Sequence, residues 1–310
     1  MAKEGFKSGF VAVLGRPNVG KSTLINALLD SKISIVSTAP QTTRHQIRGI
    51  LNLKDAQIVF VDTPGIHSFR DRLATHLNTI AKKSLEGCDL ILYVVDVSRR
   101  VGQEEAQIMD ILASQKVKII MAMNKMDLGV GYLNAYVDFW KAKLKEKKRR
   151  KDPLVYFLPL SAKTKKNTNE LKNALVENLP SEHPFYDTQT LTDFPIKFRV
   201  ADIVREKLYG FLTKELPHSI AVEVEEIEER KTLKKEALIY IKVNIYINRT
   251  SQKMIVIGKG GHVLKEVGRA SRLDIEEIYK KKVFLEIKVK VLKDWQEKPR
   301  ILKELGYWWA

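Results

Sequence analysis

Gly15-Arg16-Pro17-Asn18-Val19-Gly20-Lys21-Ser22 fits the spacing G-x-x-x-x-G-K-[ST], and it follows the apolar run Phe10–Leu14 without a gap. That order leaves little choice of fold. A strand must deliver the chain to a glycine-rich turn, and a helix must begin where the turn ends, here in the helical pattern Thr23–Leu29, so that backbone N–H groups and a helix N-terminus converge on phosphate. Lys21 is then placed to bridge the β- and γ-phosphates, and Ser22 to bring its hydroxyl to Mg²⁺. By itself the turn specifies a nucleoside triphosphate and no particular base.

Three further segments recur downstream in a fixed order: Asp62-Thr63-Pro64-Gly65, Asn124-Lys125-Met126-Asp127 and Ser161-Ala162-Lys163. Short β-branched apolar runs alternate with helical stretches between them, which predicts strands at Phe10–Leu14, Ile58–Asp62, Leu90–Val95, Lys118–Asn124 and Val155–Leu160. Each segment sits at the end of a predicted strand, and ligands of an open α/β sheet gather at the carboxyl ends of its strands. A run at Gln46–Leu53 turns toward Ile58 through Asn52-Leu53-Lys54-Asp55 and predicts an antiparallel edge strand. Asn124, Lys125 and Asp127 supply the base: a carboxylate accepts two hydrogen bonds from the N1–H and 2-amino groups of guanine, a donor pair that adenine lacks. The expected ligands are therefore GTP and GDP. Asp62 is expected to hold Mg²⁺ through water, with the Gly65 N–H facing the γ-phosphate.

Between these segments lies the polar stretch Pro40-Gln41-Thr42-Thr43-Arg44, a plain surface loop or a switch that carries a hydroxyl to Mg²⁺. Thr43 is the expected ligand and Thr42 its rival. Such loops are held by the γ-phosphate and released on hydrolysis. Ras-like enzymes orient the attacking water with a glutamine after the Asp-x-x-Gly glycine, but Ile66 stands there and offers no hydrogen bond. Hydrolysis must then rest on Mg²⁺, Lys21 and backbone positioning, with help from another cation or a partner. Asn18 either pins the loop or ligates a monovalent cation beside the phosphates, where an arginine finger would otherwise neutralise charge.

With 310 residues the chain has room for a second domain. Its breakers between Leu179 and Pro195 divide a GTP-binding domain at 1–180 from a linker at 181–195 and a region at 196–310 of different composition. That region reads helix (Ile196–Leu216), strands (Ser219–Glu229, Ala237–Asn248), helical segments across Ser251–Tyr279, and a last strand Val283–Val291. Between the later helices lies Ile257-Gly258-Lys259-Gly260-Gly261. A Gly-x-x-Gly turn there lets a nucleic-acid backbone approach, with Lys259 facing phosphate, as KH domains do for single strands; alone, the same turn also serves as a plain helix–helix connection. Fifty-four basic residues against 37 acidic ones leave a net charge of +17, which favours a polyanion: nucleic acid or an anionic membrane surface. The basic run Lys141–Lys151 reads either as a solvated helix face or as a phosphate contact. The aromatic tail Leu305–Trp309 either packs on its domain, is disordered, or stacks on bases. Cys88 is the sole cysteine, so no internal disulfide can form, and neither signal peptide nor membrane span is legible. A soluble cytoplasmic protein, monomeric in isolation, is expected.

The order and wording of the boxes, with Thr42-Thr43-Arg44 in the switch and Ile66 after the glycine, resemble the bacterial Era GTPases, and the likeness extends to the second domain. The resemblance implies a P-loop α/β GTPase domain with a mostly parallel sheet, followed by a smaller α+β KH domain of type II. It implies slow GTP hydrolysis, a GTP/GDP switch and assembly of the small ribosomal subunit, with the KH groove taking the single-stranded 3′ end of its ribosomal RNA. It adds a backbone contact from Ser161-Ala162-Lys163 to the guanine oxygen and K⁺ near Asn18, and it permits peripheral attachment to the inner face of the cell membrane. The alternatives are an RNA chaperone or structural ribosome-associated protein that holds GTP without hydrolysing it, and an ATP-dependent small-molecule kinase, which Asp127 disfavours.

Overall fold

A computed structural model describes residues 5–36, 44–63, 72–149, 151–212, 216–231 and 237–307. The chain forms two compact units, and the main break between them falls between Asp193 and Phe194. The first contains β1 (Lys7–Leu14), α1 (Lys21–Leu29), β2 (Ile47–Asn52), β3 (Ala56–Asp62), α2 (Arg72–Lys83), β4 (Leu90–Asp96), α3 (Gln103–Leu112), β5 (Lys118–Asn124), α4 (Leu133–Glu146), β6 (Leu154–Pro159) and α5 (Thr168–Asn178). Its six strands lie in the order β2-β3-β1-β4-β5-β6. β2 runs antiparallel to β3, while the other neighbours are parallel, as expected from the strand–helix alternation and the short hairpin.

Every residue of β3 and β4 is buried, which is why Ile58–Val61 and Leu90–Val95 read as continuous apolar runs rather than alternating ones. Tyr93, Met121 and Met123 of the sheet pack with Ile108 and Met109 of α3 and with Tyr136 and Trp140 of α4. β5 has the predicted bounds, whereas β1 begins three residues earlier than its apolar run, because Lys7 and Ser8 pair with Ala56 and Gln57. That extension is set by a partner strand, not by local composition.

The stretch expected as a linker is tied to the first unit as far as Asp193. Ser8 N donates to Pro180 O at 3.2 Å and Ile50 N to Leu191 O at 2.9 Å. The buried amide of Gln57 donates to Tyr186 O at 2.8 Å and accepts from Phe185 N and Tyr186 N at 2.7 and 3.0 Å. An Arg48–Asp193 ion pair at 2.9 Å closes the strap. Helix-breaking residues announced a non-helical segment, but these partners lie more than a hundred residues away and left no local signal.

The second unit contains α6 (Ile196–Tyr209), α7 (Leu216–Ser219), β7 (Ala221–Lys231), β8 (Ala237–Ile247), α8 (Ser251–Ile257), α9 (His262–Tyr279), β9 (Lys282–Val291) and α10 (Pro299–Glu304). Its sheet has the order β7-β8-β9, with β7 antiparallel and β9 parallel to β8. The helix expected over Ile196–Leu216 stops at Tyr209, with Gly210 at its C-cap. Beyond β9 the chain folds back on its own domain: Trp295 Nε1 donates to Ser219 O at 2.9 Å. Arg205, fully buried, pairs with Asp202 at 2.7 Å and donates to Tyr307 OH at 2.7 Å. Tyr307 of the aromatic tail is thus packed, while Trp308 and Trp309 lie outside the described residues.

Candidate nucleotide site and nucleic-acid groove

β1 delivers Gly15 to the turn and α1 starts at Lys21, with Gly20 as its N-cap and no side-chain cap for its first-turn N–H groups. Those donors are left to an anion. Gly20 has φ 98°, and a Cβ there would lie 2.4 Å from Asn124 Nδ2, so only glycine fits beneath that amide. Asn18 has φ 63°, a conformation that asparagine tolerates better than most residues.

The Lys21 ammonium lies inside the turn, donating to Gly15 O and Arg16 O at 3.0 Å each. Burial lowers its pKa to about 8, against the pull of Asp62 and Glu104. Asp62, at the end of β3, is also buried, and burial pushes its carboxyl up despite Lys21 and the Ser22 hydroxyl. Ser22 Oγ donates to Asp62 Oδ2 at 2.9 Å, while Asp62 Oδ1 is buried without a hydrogen-bond partner among the described residues. A hydroxyl oxygen and an unsatisfied carboxylate oxygen beside an anion-binding turn suit a hard, hydrated dication. Ser22 and Asp62 would hold Mg²⁺ there, and the ion would supply positive charge against that developing during phosphoryl transfer. Thr63 Oγ1 donates to Val13 O at 2.8 Å and so fixes the end of β3 against β1.

The base side of the pocket is braced in the same way. Asn124 gives its Nδ2 to Val19 O and accepts the Ala162 N–H on Oδ1, both at 2.9 Å. Its amide thereby joins the phosphate turn to the 161–163 loop, and the second N–H of Nδ2 stays available to a base. Lys125 reaches back to Asn18 O at 2.6 Å and to Asp96 Oδ2 at 2.9 Å. Met126 N donates to Leu160 O at 3.2 Å. Asp127 is exposed, and its Oδ1 accepts from Ser161 Oγ at 2.6 Å. The aim of that carboxylate is thereby fixed, and its other oxygen has no partner among the described residues. Lys163 is exposed. Thr43, Pro64, Gly65 and Ile66 lie outside the described residues.

Two buried acids were not singled out from the sequence. Asp96 ends β4, and hydrogen bonds from Ser98 and Lys125 keep its carboxyl low although burial pushes the other way. Glu105 of α3 pairs with Arg16 of the turn and accepts from Tyr136 OH and Gly102 N. Only the placement of Asp96 at the end of an apolar strand could have marked it; Glu105 sits on an ordinary amphipathic helix.

In the second unit, Gly258, Gly260 and Gly261 have φ of 76°, 60° and 78° between α8 and α9. A Cβ on Gly258 would meet Val263 Cγ2 at 2.6 Å and its backbone N at 2.8 Å. Lys259 is exposed and Ile257 half-buried. Between α9 and β9 opens a cleft of about 510 Å³ whose lining includes Lys265, Gly268, Arg269, Arg272 and Phe284. Basic side chains spaced three and four apart on α9 were the sequence signal for this wall, and the reading confined to Ile257–Gly261 passed over it.

Residues 10–125 match the family model described as "50S ribosome-binding GTPase", and residues 215–296 match the KH domain model. GTPase Era of Geobacter metallireducens is 40% identical over 99% of this chain and 100% of its own length. GTPase Era of a Thermoanaerobacter species is 43% identical over 98% of this chain and 97% of its own. The chain belongs to the Era family of GTPases. An Era structure in complex with MgGDPNP and nucleotides 1506–1542 of 16S ribosomal RNA is 35% identical, with a TM-score of 0.89 over 97% of this chain and 99% of that one. Membership of the Era family makes the chain a GTP-hydrolysing enzyme with a P-loop GTPase domain followed by a KH domain. It runs against the reading in which GTP is a fixed ligand, and against the ATP-dependent kinase.

Proposed function

We propose that this Era-family GTPase is a nucleotide-switched factor that holds the single-stranded 3′ region of small-subunit ribosomal RNA and assists assembly of that subunit. The observation that carries this reading is the full-length likeness to an Era structure in complex with MgGDPNP and 16S ribosomal RNA, joined to the Gly258–Gly261 turn and the basic cleft beside it. Support for the small subunit comes from the 16S ribosomal RNA bound in that full-length structural relative, not from the partial match over residues 10–125, whose description names the 50S subunit.

At the nucleotide, residues Gly15 to Thr23 cradle the phosphates, Lys21 reaches the β- and γ-oxygens, and Asp127 reads guanine with its aim fixed by Ser161. Ser22 and Thr43 ligate Mg²⁺, and Asp62 holds it through water. Gly65 presents its N–H to the γ-phosphate. K⁺ near Asn18 supplies the charge that Ile66 cannot organise, so turnover should be faster in potassium than in sodium at equal ionic strength. Equal rates would remove the cation from the scheme. Residues 1–180 form the GTP-binding domain and 196–310 the RNA-binding domain. The isolated protein is a monomer in the cytoplasm. Peripheral membrane attachment would rest on the basic surface alone, since no helix of the described residues is long and apolar enough to cross a membrane.

A double substitution, K259D with G260D, tests the RNA half. Lys259 is exposed, and no atom lies within 4 Å of a Cβ at Gly260, so two carboxylates enter the turn without a packing clash. Binding of single-stranded ribosomal RNA should be lost while GTP hydrolysis persists. Retained RNA affinity would overturn the assignment of this turn.

A further inference from the structure

We infer that the C-terminal end of α4 and the turn after it form a second RNA contact, on the GTPase unit, that grips the phosphate backbone of double-stranded RNA. The inference rests on the reading of this chain as an RNA-binding GTPase and adds a site outside the KH groove. Tyr136, Val137, Trp140 and Leu144 turn one face of α4 into the core, which leaves Lys141 and Lys145 exposed, one helical turn apart. The chain then continues through Lys147, Lys148, Arg149 and Lys151. Little acid offsets them. Lys143 takes up Glu146 at 3.0 Å and Asp110 at 3.2 Å, and Lys147 lies 3.9 Å from the same Asp110 oxygen, whereas Lys141, Lys145, Lys148 and Lys151 form no ion pair among the described residues.

The turn is also built, not merely charged. Lys148 N donates to Lys145 O and Arg149 N to Leu144 O, the paired bonds of a helix-ending turn whose central residue is left-handed and usually glycine. Here that residue is Lys148, with φ 49°. Arg149 Nη2 donates to Gln115 O at 2.6 Å and fixes the turn against the loop before β5, beside exposed Lys116. A helix that only needed to end would be served better by glycine at 148, and complementing the helix dipole requires cations in the last turn, not several residues beyond it.

The patch offers cations and little else. No large apolar side chain is exposed among the described residues from 131 to 151, so nothing there would enter a lipid layer or serve as a platform for stacked bases. Lysines that leave one helix about 6 Å apart along its axis suit the regular phosphates of a duplex, read without regard to sequence. β5 runs from Lys118, next to the patch, to Asn124 at the nucleotide pocket, so the patch lies at the opposite end of the sheet from the phosphates.

The test is the full-length variant K141Q/K145Q/K148G against the unaltered protein, titrated with a stem of about 20 base pairs, a short single-stranded oligonucleotide, and phosphatidylglycerol vesicles, across a salt series. Duplex affinity should fall tenfold or more near 0.1 M salt, and the slope of log K against log salt should drop by about 2–3. Single-strand affinity and GTP hydrolysis should be unchanged, and the melting temperature unchanged or raised by glycine at 148. Equal duplex affinity and slope in the two proteins overturn the inference and leave the KH reading intact. Loss of vesicle binding with duplex binding unchanged overturns it in favour of a membrane. If the unaltered protein binds neither RNA, both readings fall together.

Discussion

In the proposed function, Asp127 chooses the base with a single carboxylate. It is exposed at the pocket, yet the Ser161 hydroxyl at 2.6 Å fixes one oxygen, so the orientation is set before guanine arrives. D127N replaces an acceptor with a donor at the guanine 2-amino group. The loss of charge-assisted hydrogen bonds, about 1.5–3 kcal/mol, should weaken GTP binding roughly 10- to 150-fold by calorimetry. Xanthosine triphosphate, with an oxygen at that carbon, should bind the variant better than the parent. Cys88 makes a contrasting prediction. Burial and neighbouring Asp89 push its thiol up to about 11. At pH 8 the folded protein should therefore react with iodoacetamide about a hundredfold more slowly than an exposed cysteine, and at the ordinary rate once unfolded.

At the scale of elements, legibility followed the range of the interactions. β5 was readable to the residue because five consecutive apolar positions lie between Lys118 and Asn124, and Asn124 begins a sequence box. The strap at 181–193 was not, since its structure comes from hydrogen bonds to Gln57 and Ile50 in strands far back in the chain. The same holds for Arg205, which looks like an ordinary polar position on α6 until Tyr307, 102 residues later, closes over it. Y307F removes the hydroxyl acceptor from a buried guanidinium and should destabilise the protein by about 1–2 kcal/mol in chemical denaturation. The outward face of β7 and β8 carries a pH signature. Hydrogen bonds from Lys242 and Asn244 lower the Glu225 carboxyl from its ordinary 4.5 to about 2. Because its folded pKa lies below the unfolded one, its contribution is complete above about pH 4.5 and is lost as the pH falls toward 2. E225Q should therefore lower the neutral plateau, leave stability near pH 2 little changed, and so flatten the acid limb between them.

For the whole molecule, the sequence motifs located the chemistry and the fold added the bracing. Asn124 joins the phosphate turn to the 161–163 loop, and Lys125 ties Asn18 to Asp96, so phosphate and base sites form one braced set. Those links cross from one box to another, which explains why each box could be read alone and their mutual contacts could not. A switch requires one thing more: GTP and GDP must favour different arrangements of the protein, and RNA must bind those arrangements unequally. The most direct test is a titration of the full-length protein with single-stranded RNA from the 3′ end of small-subunit ribosomal RNA, in saturating Mg²⁺ with either a non-hydrolysable GTP analogue or GDP. The RNA affinities should differ by at least about fivefold between the two nucleotides. Identical affinities would show that the nucleotide does not govern the grip on RNA.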